Sequence, residues 1–224
     1  MTTIILVTTD AIATHDLDNC VEALNHTLAK WAPKWGITAI ATTDPKVKAD
    51  MIIKVTDKQR HTGAYGYHAL ENNVPTAWCS PKSVGRTYGH YTAPLYSREV
   101  KILGKVIKPA KLVHGPLYTS GLVTVIIHEC LEMLADAHID QYSKPDRDSR
   151  EWLIEVADHV AGAYSIETVN GNICVIPDAT FPSYYDINAV APYDLCGAVS
   201  APFARTTSHF YGYYKNVEGR LVAL

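Results

Sequence analysis

Residues 123–138 read Val-Thr-Val-Ile-Ile-His-Glu-Cys-Leu-Glu-Met-Leu-Ala-Asp-Ala-His, and this stretch decides how the rest of the chain is read. Leu122, Val123, Ile126, Ile127, Leu131, Leu134 and Ala135 recur at spacings of three and four, which predicts an amphipathic helix with a wide buried face. Thr119 or Ser120 would cap its start. On such a helix His128 and Glu132 lie one turn apart on one face, so both can grip a single metal ion. Glu129 projects from a neighbouring angle, where the general base of a metal-dependent hydrolase stands. The usual form of this device is H-E-x-x-H; here Glu132 replaces the second histidine. A solvated polar stripe would show the same spacing. Carboxylates set into so apolar a run carry a desolvation cost, however, and a bound metal would offset it.

A third ligand can come by two routes. The first stays on the same segment, where His138 follows Glu132 as the last position of H-E-x-x-E-x-x-A-x-x-H. In that long zinc signature a glycine lets the chain turn sharply, and alanine at 135 resists the positive φ such turns require. The second route uses R-E-W-L-I-E-V-A-D-H-V, residues 150–160, read as a second helix. Glu155 would then complete the metal set, with Asp158 as ligand or as orienting partner of His128. An ordinary charged helix face would also account for these residues.

The run H-E-C-L-E-M-L-A-D, then E-V-A-D, then P-D-A-T-F-P-S-Y-Y and Y-D-L-C-G-A-V-S-A-P-F, resembles a group of uncharacterised bacterial and bacteriophage proteins. These look like zincin-type metallopeptidases and are often encoded among phage structural genes. The resemblance spans residues 120–204. It implies an α+β, zincin-like metallopeptidase fold with an edge strand beside the H-E-x-x-E helix. It matches His128, Glu129, Glu132, Asp136, Glu155, Asp158, Asp178 and Pro182, and departs at Ala137 and His159, where proline is expected. His138 is outside the pattern, which shifts weight towards Glu155 or Asp158. The resemblance implies a divalent cofactor, Zn²⁺ or, for so oxygen-rich a donor set, Mn²⁺ or Ca²⁺. It implies Glu129 as base, and Tyr184 or Tyr185 as an oxyanion donor near Asp178. Partners would be a peptide substrate or neighbouring virion proteins, and the location the host cytoplasm or the virion. The competing class is a virion assembly protein with a degenerate or purely metal-binding site.

The composition fits a folded chain able to bury a substantial core. Its 224 residues are read as one domain: an amino-terminal part (1–81), a Tyr/Pro-rich insertion (82–119) and the site helix with the carboxy-terminal part (120–224). A net charge of −3 gives no electrostatic case for nucleic acid or an anionic membrane. The opening M-T-T-I-I-L-V-T-T-D lacks a basic region and a cleavage site and reads as a strand, and no apolar run reaches membrane-spanning length. The five cysteines form no C-x-x-C pair and are expected as free thiols, Cys130 as an inert helix residue.

Upstream of the site, Ile4–Thr8 reads as a buried strand and Asp16–Trp35 as a helix stopped by Gly36. Strands follow at Ile37–Thr42 and Met51–Thr56, then a loop and an edge strand ending at Pro81. That order, closing on the site helix, is the one a zincin amino-terminal half shows. The insertion carries Tyr88, His90, Tyr91, Tyr96 and Tyr118 and a hairpin at K-I-L-G-K-V-I-K, as a lid or a contact arm would. Ile173–Ile176 reads as a strand behind V-N-G-N, and the aromatic tail H-F-Y-G-Y-Y-K-N as a packing segment.

Overall fold

β1 (Thr2–Thr9) pairs in parallel with β2 (Thr38–Thr42) on one side and β3 (Met51–Val55) on the other. The computed structural model containing it describes residues 2–12, 14–58, 64–83, 100–102, 105–108, 121–170, 172–204, 212–216 and 218–223. The crossover from β1 to β2 is α1 (Thr14–Trp31), whose Leu17, Val21, Leu24, Leu28 and Trp31 are all buried, as their helical spacing requires. The helix ends four residues earlier than the sequence reading has it. Pro33 has no N–H to continue the ladder, so Ala32–Trp35 tightens into a 3₁₀ turn and Gly36, at φ 68°, closes it.

The chain then makes β4 (Gly66–Glu71) and β5 (Val74–Cys79). β5 joins β3 in parallel and β4 folds back antiparallel, giving the order β2-β1-β3-β5-β4. The protein is thus α+β with a mixed sheet, and β4 is its edge. This corrects the expectation of a loop followed by an edge strand ending at Pro81. Asn72 and Asn73 take positive φ (51° and 65°), the geometry of a tight hairpin turn, so the stretch makes two strands and the outer one comes first. Both helices pack on one face of the sheet and against each other.

The short hairpin of β6 (Val100–Ile102) and β7 (Lys105–Lys108) forms where K-I-L-G-K-V-I-K predicts it. Beyond Ser83 the remainder of the Tyr/Pro-rich insertion, with Tyr88, His90, Tyr91, Tyr96 and Tyr118, lies outside the described residues, as do residues 205–211 of the tail. α2 (Leu122–Ala135) starts from Gly121 at its N-cap, without a side-chain cap, rather than from Thr119 or Ser120. It is not amphipathic in place: thirteen of its fourteen residues are buried, all except His128. β4 and β5 cover one side and α1 and β10 (Asn172–Pro177) the others. Tertiary burial, not propensity, holds so β-branched a sequence helical.

Downstream, β8 (Glu151–Trp152) pairs with β11 (Tyr213–Lys215), and β11 with β12 (Leu221–Ala223). β9 (Tyr164–Val169) forms a hairpin with β10 around Asn170, at φ 47°. Residues 150–160 are not a second helix. They run through β8 into coil and one 3₁₀ turn, Asp158–Val160, tied by Ile154 N–H to Gln141 O (3.0 Å) and Thr180 N–H to Val156 O (2.8 Å). One core cluster unites both halves, from Ile5 to Val199. Among the described residues no helix is long and apolar enough to cross a membrane.

Candidate metal centre

α2 carries His128, Glu129 and Glu132 into a cavity of about 800 Å³ between the edge strand and the carboxy-terminal loops. Its lining includes His68 of β4, Glu155, Asp158 and Asp178, so five carboxyl groups and two imidazoles meet there, with no lysine or arginine among the described lining residues. Glu129 and Glu132 are 6% and 4% exposed, which excludes the solvated stripe. The coil after β8 delivers Asp158 from the far side, and its backbone N–H donates to Glu132 Oε1 at 3.2 Å. That bond fixes both residues relative to each other.

His128 Nε2 lies 3.3 Å from Glu132 Oε2 and 3.4 Å from Asp158 Oδ1. Tetrahedral zinc, with bonds of about 2.0–2.1 Å, holds its donor atoms about 3.3–3.4 Å apart. The two separations from His128 therefore match the edge lengths of such a site, and all three donor atoms lie within 4.8 Å of one another. A divalent ion fits this trio. One imidazole and two carboxylates form a harder donor set than two histidines would, open to Mn²⁺ as well as Zn²⁺.

The electrostatics agree with a place built for a cation. Burial opposes the charge of His128, yet Glu132 and Asp158 outweigh it and raise its pKa well above the ordinary value. For Asp158 burial pushes upward, but His128 prevails and holds the carboxyl below its usual range. Burial and Glu132 drive Glu155 up to about 9, and its Oε2 is buried with no hydrogen-bond partner. Glu129 is raised by burial against the pull of His68 and His128. His68, despite its burial, is lifted to about 9 by Glu129, Glu132 and Glu155.

Of the residues singled out from sequence, the fold brings together His128, Glu129, Glu132, Asp158 and, on the cavity wall, Glu155. His138 is exposed and belongs to neither cluster of potential ligands among the described residues, because the chain leaves the helix at Asp136 and turns outward. The long-signature route is therefore not the one the fold takes. Asp136 is fully buried and accepts N–H bonds from Asp140 (3.2 Å) and Gln141 (2.8 Å), so it holds that turn. Asp178 lines the cavity, while its Oδ1 accepts from Ala179 (2.8 Å) and Cys196 (2.9 Å) and its carboxyl faces that of Asp194. Burial first, then Asp194, raises it to about 7.

Tyr184 and Tyr185 do not reach the cavity. The Tyr185 hydroxyl accepts from Thr180 Oγ1 at 3.0 Å and that of Tyr184 donates to Ala204 O, and neither residue is among the described residues that line the cavity. His159 is a core residue, its ring packed against Trp152 and Tyr185. Cys130 is buried, and all five cysteines are free thiols.

Sequence reasoning missed His68. Nothing in G-Y-H-A-L marks it as a ligand, and only strand alternation, which turns His68 inward and Ala69 outward, could have pointed to it. Gly66, two residues earlier on the same face, lies so close to α2 that a Cβ there would sit 2.6 Å from Glu129 Oε1. Compared with models of known families, with curated proteins and with solved structures, the chain finds no match.

Proposed function

We propose that this protein is a zincin-type, metal-dependent peptidase whose metal is held by His128, Glu132 and Asp158 and whose base is Glu129. The observation that carries the reading is the spacing of those donors, with Glu132 and Asp158 3.3 and 3.4 Å from His128 Nε2, where a helix lies against the antiparallel edge strand of a mixed sheet. A divalent ion bound there would acidify a water and polarise a scissile carbonyl. The chain's own residues supply the rest. Among the described residues the outer edge of β4 carries no partner strand, so an extended peptide can pair with it and bring its backbone across the cavity. Glu129, raised by burial, accepts a proton from the attacking water and returns it to the leaving nitrogen. Asp158 holds Glu132 in place through its N–H.

The phage association rests on the sequence resemblance, and with it the alternative of a virion component that uses the fold for assembly. One experiment separates the two. Glu129→Gln keeps the side chain's shape and removes the base. A peptidase should lose at least about 10²-fold in rate on a peptide library with Zn²⁺ or Mn²⁺, while fold and tightly bound metal persist. Cleavage that survives the substitution would refute this assignment of the base, and absence of cleavage by the wild-type chain with every metal would favour the assembly role.

A further inference from the structure

The cavity holds a second set of donors that the mechanism above does not use. His68 Nδ1 points between Glu129 Oε2, 3.6 Å away, and Glu132 Oε2, 3.9 Å away, and the donor atoms of all three residues lie within 4.8 Å of one another. Both separations exceed a normal hydrogen bond. His68 is 7% exposed, and its other nitrogen, Nε2, is buried with no partner among the described residues. A gap between one imidazole nitrogen and two carboxylate oxygens is what a cation fills.

We infer that the centre contains a second cation site, formed by His68, Glu129 and Glu132, and that filling it removes Glu129 from service as a base. This rests on the peptidase reading for its consequence, though not for the site itself. Glu132 is common to both groups: Oε1 receives the Asp158 N–H, and Oε2 faces both histidines, so its carboxylate bridges the two positions. Glu129 and Glu132 both line the cavity beside His68, and among the described lining residues there is no lysine or arginine to occupy the gap between them. The donor separations here are wider than in the trio around His128, so the second site suits a larger, harder ion such as Mn²⁺ and binds it less tightly. A cation held at Glu129 Oε2 would lower the basicity of the carboxylate and turn it from a substrate water. Excess metal would then inhibit.

The test is a calorimetric titration of chelator-stripped protein with Mn²⁺, with metal content after equilibrium dialysis as an independent count. Wild type should take up two ions per chain, the second at least about tenfold more weakly than the first. His68→Ala should take up one ion, with the tight step retained. His128→Ala should lose the tight step, and Glu132→Gln should impair both. Should His68→Ala fold poorly, Glu129→Gln removes a ligand without changing volume and should likewise leave a single ion. One ion in wild type, bound equally well by His68→Ala or Glu129→Gln, overturns the second site and leaves the peptidase reading standing. No binding at any concentration overturns both.

Discussion

Gly66→Ala is the sharpest probe of how the edge strand and the site helix fit. Gly66 lies outside the positive-φ region, so alanine meets no backbone strain and the cost is steric. The added Cβ would stand 2.6 Å from Glu129 Oε1, 2.7 Å from Val125 Cγ1 and 2.8 Å from Glu129 Cγ. Val125 is a β-branched side chain of the buried helix, with few rotamers to retreat into. Overpacking of this kind costs about 1–3 kcal/mol, and a chain of this size loses about 2–4 °C in melting temperature per kcal/mol. A fall of about 2–12 °C should follow. Glu129, whose end is flexible, yields by swinging out of the cavity, so peptidase turnover should fall by at least about 10²-fold while metal stays bound at His128. Adding Val125→Ala should recover part of the stability and none of the turnover, because the clash with Glu129 persists. Differential scanning calorimetry and peptide hydrolysis read the two effects separately. A Gly66→Ala protein with a melting point within about 1 °C of wild type and full turnover would refute the packing argument.

Three further outcomes are expected. His138→Ala should leave metal affinity unchanged in a Zn²⁺ titration, since His138 is exposed and outside both donor clusters; a tenfold weakening, about 1.4 kcal/mol, would restore the long-signature route. The carboxyl of Asp178, raised from 3.8 to about 7, binds its proton more tightly in the folded state, so its stabilisation is full below pH 4 and is lost as pH rises through 7. Asp178→Asn should therefore flatten the denaturant-derived stability profile between about pH 4 and 8, and an unchanged slope there would count against the Asp178–Asp194 pair. Asp136→Ala leaves two N–H groups, of Asp140 and Gln141, without their acceptor and should cost about 1–3 kcal/mol in urea unfolding, with metal content intact.

What was legible in the sequence follows from what local pattern can encode. The apolar spacing of residues 17–31 and 122–135 marks helices because burial repeats every turn, and it fixes His128 and Glu132 on one face without reference to the rest of the chain. Asp158 could be proposed from a motif but not placed. The apolar residues from Trp152 to Val160 mimic helical spacing because the coil is buried: Trp152, Leu153, Ile154, Val156, Ala157 and Val160 all lie in the interior. Its backbone bonds go to Gln141, Thr180 and other distant partners that no local pattern reveals. The Asn72-Asn73 turn was readable in principle, since asparagine tolerates positive φ, and reading it would have turned His68 inward. His68 reaches the site only because an edge strand is laid beside a helix some sixty residues further along, a matter of topology rather than spacing.

The late arrival of Asp158 bears on the life of the chain before it is finished. A ribosome releases β1 to β5 first, then α2 with His128 and Glu132, and only afterwards the coil whose N–H secures Glu132 and whose carboxylate completes the trio. Until that coil docks, with Thr180 N–H held by Val156 O and the indoles of Trp31 and Trp35 both donating to Thr180 O, the donor set lacks its last member. A nascent or carboxy-terminally clipped chain would carry the signature motif but no complete centre. On the proposed peptidase reading, hydrolysis of neighbouring chains during synthesis would be withheld by the order of assembly.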